Sequence, residues 1–348
     1  SATLTEQENA VVTVPPSNST ICAGNNTNFS VTATGTGLTY QWQQSTGGPF
    51  VNLANGGVYS GVTTSTLTLT GVTTGMTGYL YRAVITGTCA PMTSAAGILT
   101  VNTLPVVTVN PVDVTVCEGL GTSFSVTATG TGITYQWQED NGGGFVNLAN
   151  GGVYSNVTTA TMSISNVLGK GGYRYRAVVS GTCAPAATST SATLTEQKNP
   201  VVSIPPSNST ICESNNTTFS VTATGTGLTY QWQESTGGPF ANVSNGGVYS
   251  GVTTSTLTLT GVTSGMTGNQ YRVVITGTCA PTTSAAGTLT VNTLPVVTVN
   301  PTDVTVCEGT GTTFSVTATG TGITYQWQED TGGGFVNLAN GGVYSNVT

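Results

Sequence analysis

The sequence predicts an all-β chain built as a linear array of tandem sandwich domains, and three observations carry that prediction. The stretch FSVTATGTGLTYQWQ at Phe29 returns almost unchanged at Phe124, Phe219 and Phe314, 95 residues apart each time. Within each copy, apolar residues alternate with Thr, Ser and Gln in short runs, the period of two that marks half-buried strands. Clusters of Gly and Asn bound the runs, and no stretch reads as a helix.

The first full unit justifies the strands one by one. Residues 11–14 open it, Pro15 and Pro16 interrupt, and residues 20–22 resume. Residues 29–34 are expected as one strand, with Phe29, Val31 and Ala33 on one face. Residues 38–43 turn Leu38, Tyr40 and Trp42 inward. A Gly47-Gly48 turn leads to residues 50–53, and Asn55-Gly56 is a tight-turn signal. Residues 66–70 place Leu67 and Leu69 inward, and residues 79–86 and 98–101 complete the set.

Units one and three are near copies, as are units two and four, so the period is a pair of domains. Residues 10–103 and 200–293 are expected as repeats of one type, and residues 104–199 and 294–348 as a second type, the last one incomplete. Residues 1–8 (SATLTEQE) match the SATLTEQK at 191–198, so residues 1–9 are expected as the last strand of a preceding repeat. Both ends suggest a window from a longer polypeptide, with strand donation between chains as the lesser option.

Composition narrows the function. Only 5% of residues are charged and the net charge is -7, against about 25% charged in typical proteins. Nucleic-acid binding needs clustered Lys and Arg, whereas the six basic residues here are scattered. No apolar run reaches the length of a membrane span. With no histidine in the chain, Ser-His-Asp and Cys-His catalysis are excluded. The adjacent acids Glu139-Asp140 and Glu329-Asp330 lie at a hairpin turn and read as solvated. No calcium-loop motif or zinc-type cysteine spacing is present. No catalytic, metal or cofactor site is expected.

Trp42, Trp137, Trp232 and Trp327 resemble the core tryptophan of the immunoglobulin fold, and Tyr81, Tyr175 and Tyr271 resemble its corner tyrosine. The positions of that fold's core cysteines hold Ala33 and Ala83 in unit one, and Ala or Val in the others. The wording ICAGNNTNFSVTATGTGLTYQWQ, then GYLYRAVITGTCAP, resembles the immunoglobulin-like repeats of giant Bacteroidota cell-surface proteins, of gliding-adhesin or surface-filament type. The resemblance covers all four units. It implies tandem immunoglobulin-like β-sandwiches, a secreted chain and attachment at the cell surface.

Seven cysteines keep the same step: Cys22, Cys117, Cys212 and Cys307 before the second strand, Cys89, Cys183 and Cys279 after the sixth. Pairs within units would be Cys22-Cys89, Cys117-Cys183 and Cys212-Cys279. In an immunoglobulin-like sandwich those turns lie at opposite ends, a strand length of roughly 26 Å apart, too far for a disulfide. Pairs across the short linkers, Cys22-Cys183 and Cys117-Cys279, are the preferred alternative. Cys89, Cys212 and Cys307 would then pair outside residues 1–348.

The resulting expectation is a structural repeat region of an extracellular filament or adhesin stalk, whose partners are further copies of its own repeats. The alternative is a multivalent array binding carbohydrate or protein through sandwich-end loops, for which Tyr59, Tyr154, Tyr249 and Tyr344 are the candidate surface contacts. Surface polysaccharide is a candidate partner, and the Thr-rich outer faces are candidates for attached glycans. Arg82, Arg176 and Arg272 point outward, where stacking on aromatic rings is favoured over ligand capture.

Overall fold

The structure, a computed structural model, describes residues 2–348. The chain forms two compact units, Ser1–Glu196 and Gln197–Thr348. Unit one holds two sandwiches. The strands of the first are β1 (Val11–Val14), β2 (Ser19–Cys22), β3 (Thr27–Ser30), β4 (Thr32–Thr34), β5 (Thr39–Ser45), β6 (Val51–Asn52), β7 (Tyr59–Ser60), β8 (Thr66–Leu69), β9 (Leu80–Thr86), β10 (Met92–Thr93) and β11 (Gly97–Asn102). One sheet runs β2-β11-β9-β5-β6, with β10 also on β9; the other layer is β3-β8-β7, extended by the β1-β4 pair. All these pairings are antiparallel except β2 with β11, which is parallel, with Ser19 opposite Leu99 and Cys22 opposite Asn102.

Alternation fixes what each strand buries. In β8 Leu67 and Leu69 are fully buried, and in β9 Tyr81, Ala83 and Ile85 are, while the residues between them are partly or fully exposed. Phe29 from one layer meets Trp42, Tyr81 and Leu99 from the other in a single core. Burying each such side chain contributes about 1.5–3 kcal/mol. Trp42 stands directly opposite Ala83 on the neighbouring strand, so a small side chain makes room beside the indole. The indole Nε1 donates to Thr64 O at 2.9 Å, so its polar atom is satisfied inside the core.

The second sandwich repeats this arrangement around Phe124, Trp137, Met162, Ile164, Tyr175 and Leu194. Its strand Val114–Cys117 neighbours Ala192–Gln197. In unit two, a third core gathers Phe219, Trp232, Leu257, Leu259, Tyr271 and Leu289. There Ser209–Cys212 again runs parallel to Gly287–Asn292.

Several details differ from the sequence expectation. The strand expected over 29–34 divides at Val31, whose N–H goes to Ser65 O; the first half pairs with β8 and the second with β1. Two 3-10 turns, Thr74–Met76 and Ser264–Met266, occupy loops expected to hold no helix. Such turns need only one or two i→i+3 bonds and leave no periodicity to read. Residues 2–10 form no strand, although their counterpart Ala192–Gln197 is one; Ser1 lies outside the described residues. Trp327 is only partly buried, unlike the other three tryptophans.

Candidate functional site at the joint of the first two sandwiches

Cys22 ends β2, and Asn102, its register partner, ends β11. The two strands therefore leave the first sandwich side by side at the same end. From Asn102 the backbone continues through Thr103, Leu104 and Pro105 into the strand Val106–Val109. From Cys22 the connection is a disulfide to Cys183, with Cα atoms 5.8 Å apart and 161 residues between them in sequence. Cys183 is fully buried in the turn after the strand Arg174–Ser180 of the second sandwich. The next peptide, Ala184–Pro185, is cis.

The linker is held by a threonine clasp. Thr103 N donates to Thr131 Oγ1 at 2.9 Å, Thr131 N returns a bond to Thr103 O at 3.2 Å, and Thr182 N donates to Thr131 O at 2.9 Å. A Cβ on Gly181 would stand 2.9 Å from Pro105 Cγ and 3.0 Å from Thr131 O, so the turn carrying Cys183 closes onto the linker only because position 181 is glycine. The same clasp holds Glu8 with Thr36, Lys198 with Thr226, and Thr293 with Thr321. Sequence reasoning did not single out these threonines. Their signal was the GTG word, identical in all four copies.

The pairings within units, Cys22-Cys89, Cys117-Cys183 and Cys212-Cys279, are overturned. Cys22 bonds Cys183, and Cys212 is a free thiol. The reason is topological: β9 runs antiparallel to β11, so the turn after β9 lies at the opposite end of the sandwich from Cys22. Cys89 and Cys307 are also free and exposed, and Cys89 Sγ lies 3.7 Å from Gln7 O.

The four tyrosines offered as surface contacts are half-buried. The hydroxyl of Tyr59 reaches Gln44 and lies 3.3 Å from that of Tyr81. Tyr154 donates to Glu139 and Tyr344 to Glu329. In the third sandwich Glu234 accepts from Tyr249 at 2.6 Å, Tyr271 at 2.8 Å and Asn269 at 2.8 Å. The rings of Tyr59, Tyr154 and Tyr249 pack against their cores. Burial pushes the hydroxyls of Tyr81, Tyr175 and Tyr271 well above the usual tyrosine range, and that of Tyr249 up to about 12.

The acids expected in a solvated turn are engaged in the second sandwich. Asp140 is buried and accepts from the N–H groups of Gly142 at 2.8 Å and Gly144 at 2.9 Å, and from Arg174. Those backbone donors, with the guanidinium, hold its carboxyl below the usual range. Glu139 faces Lys170 Nζ at 3.5 Å. Arg82, Arg176 and Arg272 stack over Phe50, Phe145 and Phe240 at 3.8–4.0 Å. Among the described residues no cluster of three potential metal ligands exists, and no helix is long and apolar enough to cross a membrane.

These features define the chain as tandem immunoglobulin-like β-sandwiches. It resembles the three-domain titin fragment I67–I69 from the I-band at 17% identity and TM-score 0.61, covering 83% of this chain and 99% of that one. An E-to-A variant of the same titin domains matches equally, over 82% and 99%. Sidekick-1 immunoglobulin domains 1–5 match at 19% identity and TM-score 0.45, over 83% of this chain and 60% of that one. The chain belongs to the family described as "Domain of unknown function (DUF8696)", matched at residues 12–103 and 203–293, just over half its length. No curated protein sequence matches it.

Proposed function

We propose that this chain is a structural segment of an extracellular filament or adhesin stalk at the cell surface, giving length and mechanical stability. The observation that carries the reading is the Cys22–Cys183 disulfide joining two successive sandwiches. Such bonds persist in oxidising compartments outside the cytosol, and a second covalent link beside the linker limits bending. For the next joint we propose the equivalent pairing, Cys117 with Cys279. On the same pattern, Cys89, Cys212 and Cys307 serve joints to further repeats. The resemblance of the repeat wording to Bacteroidota surface arrays supports the cell-surface setting.

The engaged hydroxyls of the four tyrosines weigh against the binding-array alternative. With so few charged residues, glycans on the Thr-rich faces would supply the hydration that keeps neighbouring arrays apart. Electron micrographs of the oxidised chain test the main reading. Straight particles of constant length support it, and flexible strings of beads before and after reduction overturn it. An intact mass equal to the sequence mass, measured on native material, removes the glycan.

A further inference from the structure

We infer that the Cys22–Cys183 bridge is a tension shunt, carrying load past the bodies of the first two sandwiches so that their cores stay folded under extension. The inference rests on reading the chain as a load-bearing array. Pulling on the chain from its two directions loads residues up to Cys22, crosses the disulfide, and resumes at Cys183. Of the buried core residues of the first sandwich, only Ala10 lies outside residues 23–182; of the second, only Ala192 and Leu194 do. Phe29, Trp42, Tyr81, Phe124, Trp137 and Tyr175 are therefore enclosed in a covalent loop whose two ends cannot separate.

The elements left outside that loop fit the role. In the first sandwich they are β1 and β2, and in the second Ala187–Thr188 and Ala192–Gln197. β1, β2 and Ala187–Thr188 are short outer strands, whereas Ala192–Gln197 lies between Val114–Cys117 and Arg174–Ser180 in its sheet. All four are short, so losing them would lengthen the chain very little. At the joint, Cys22 and Asn102 leave as register partners of two parallel strands, so disulfide and peptide linker run alongside each other. Two covalent connections also oppose rotation about the joint, which a lone linker permits.

The test is extension of the full chain tethered at its termini, in a Cys117→Ser/Cys279→Ser background that leaves Cys22 and Cys183 intact. The reduced chain should release more contour length than the oxidised one by roughly 55 nm, the span of the 161-residue separation at about 3.4 Å per extended residue. Adding Cys183→Ser should give the longer value under both conditions. Equal lengths for oxidised and reduced chains, with the Cys22–Cys183 peptide verified by mass spectrometry, would overturn the shunt. Micrographs read the array role separately. Straight particles without a length difference keep the array and remove the shunt, and flexible particles with the difference do the reverse.

Discussion

The ring of Phe29 lies 4.9 Å from the ring of Tyr81, and the two residues belong to opposite layers of the sandwich. The same contact recurs as Phe124 with Tyr175 at 4.9 Å and Phe219 with Tyr271 at 4.8 Å. With alanine or valine where the fold's core cysteines are expected, this aromatic pair bridges the layers without a covalent bond. Phe219→Ala should cost about 3–5 kcal/mol through lost burial and the cavity left behind. Hydrogen exchange resolved to residues 217–276 should show protection falling across the third sandwich.

Glu234 accepts three side-chain hydrogen bonds in the third sandwich, where the first sandwich has Gln44. Tyr271→Phe removes a donor to a carboxylate and should destabilise by about 1.5–3 kcal/mol. Tyr81→Phe, whose hydroxyl meets neutral partners, should cost about 1 kcal/mol. The two shifts in urea midpoint, each for its own sandwich, should rank in that order.

Stability should fall at both extremes of pH, for different groups. The hydroxyls of Tyr81, Tyr175 and Tyr271 are raised in the folded state, so the unfolded chain holds fewer protons above pH 10. Their contribution is complete below that value and is lost as pH rises. Asp140 is lowered, so its contribution is present above its ordinary value near pH 4 and is lost as pH falls through the folded one. Asp140→Asn should blunt the acid limb and leave the alkaline limb unchanged in pH-dependent denaturation.

Gly181→Ala should disturb the first joint, because the added methyl meets Pro105 Cγ at 2.9 Å and backbone at 3.0 Å. Overpacking of this kind costs about 1–3 kcal/mol. Thr131→Val keeps the shape but removes the acceptor for Thr103 N, at a cost of about 1 kcal/mol or more. Exchange of the Thr103 and Thr182 amides should quicken in Gly181→Ala, and that of Thr103 should quicken more than that of Thr182 in Thr131→Val.

The fold was legible because burial follows alternation. Leu67, Leu69 and Tyr81 could be placed from their neighbours alone, and Trp42 from its recurrence every 95 residues. The break at Val31 was not legible, since it depends on which strand lies alongside: β8 for one half and β1 for the other. The threonine clasp was hidden for a related reason. Thr131 looks like any surface threonine until folding brings Thr103 and Thr182 against it. Asp140 misled because a turn acid is exposed by default, whereas here two glycine amides and Arg174 enclose it.

The parallel alignment of β2 with β11 has a consequence for heredity. Because the entering and leaving strands point the same way, the chain goes in at one pole of a sandwich and out at the other. Deleting or duplicating a whole cassette of two sandwiches then leaves near-identical junctions, since residues 1–22 and 191–212 differ at only four positions. Unequal recombination between such similar stretches would change the number of cassettes while sparing the fold, letting a lineage tune the length of its product without inventing a new residue.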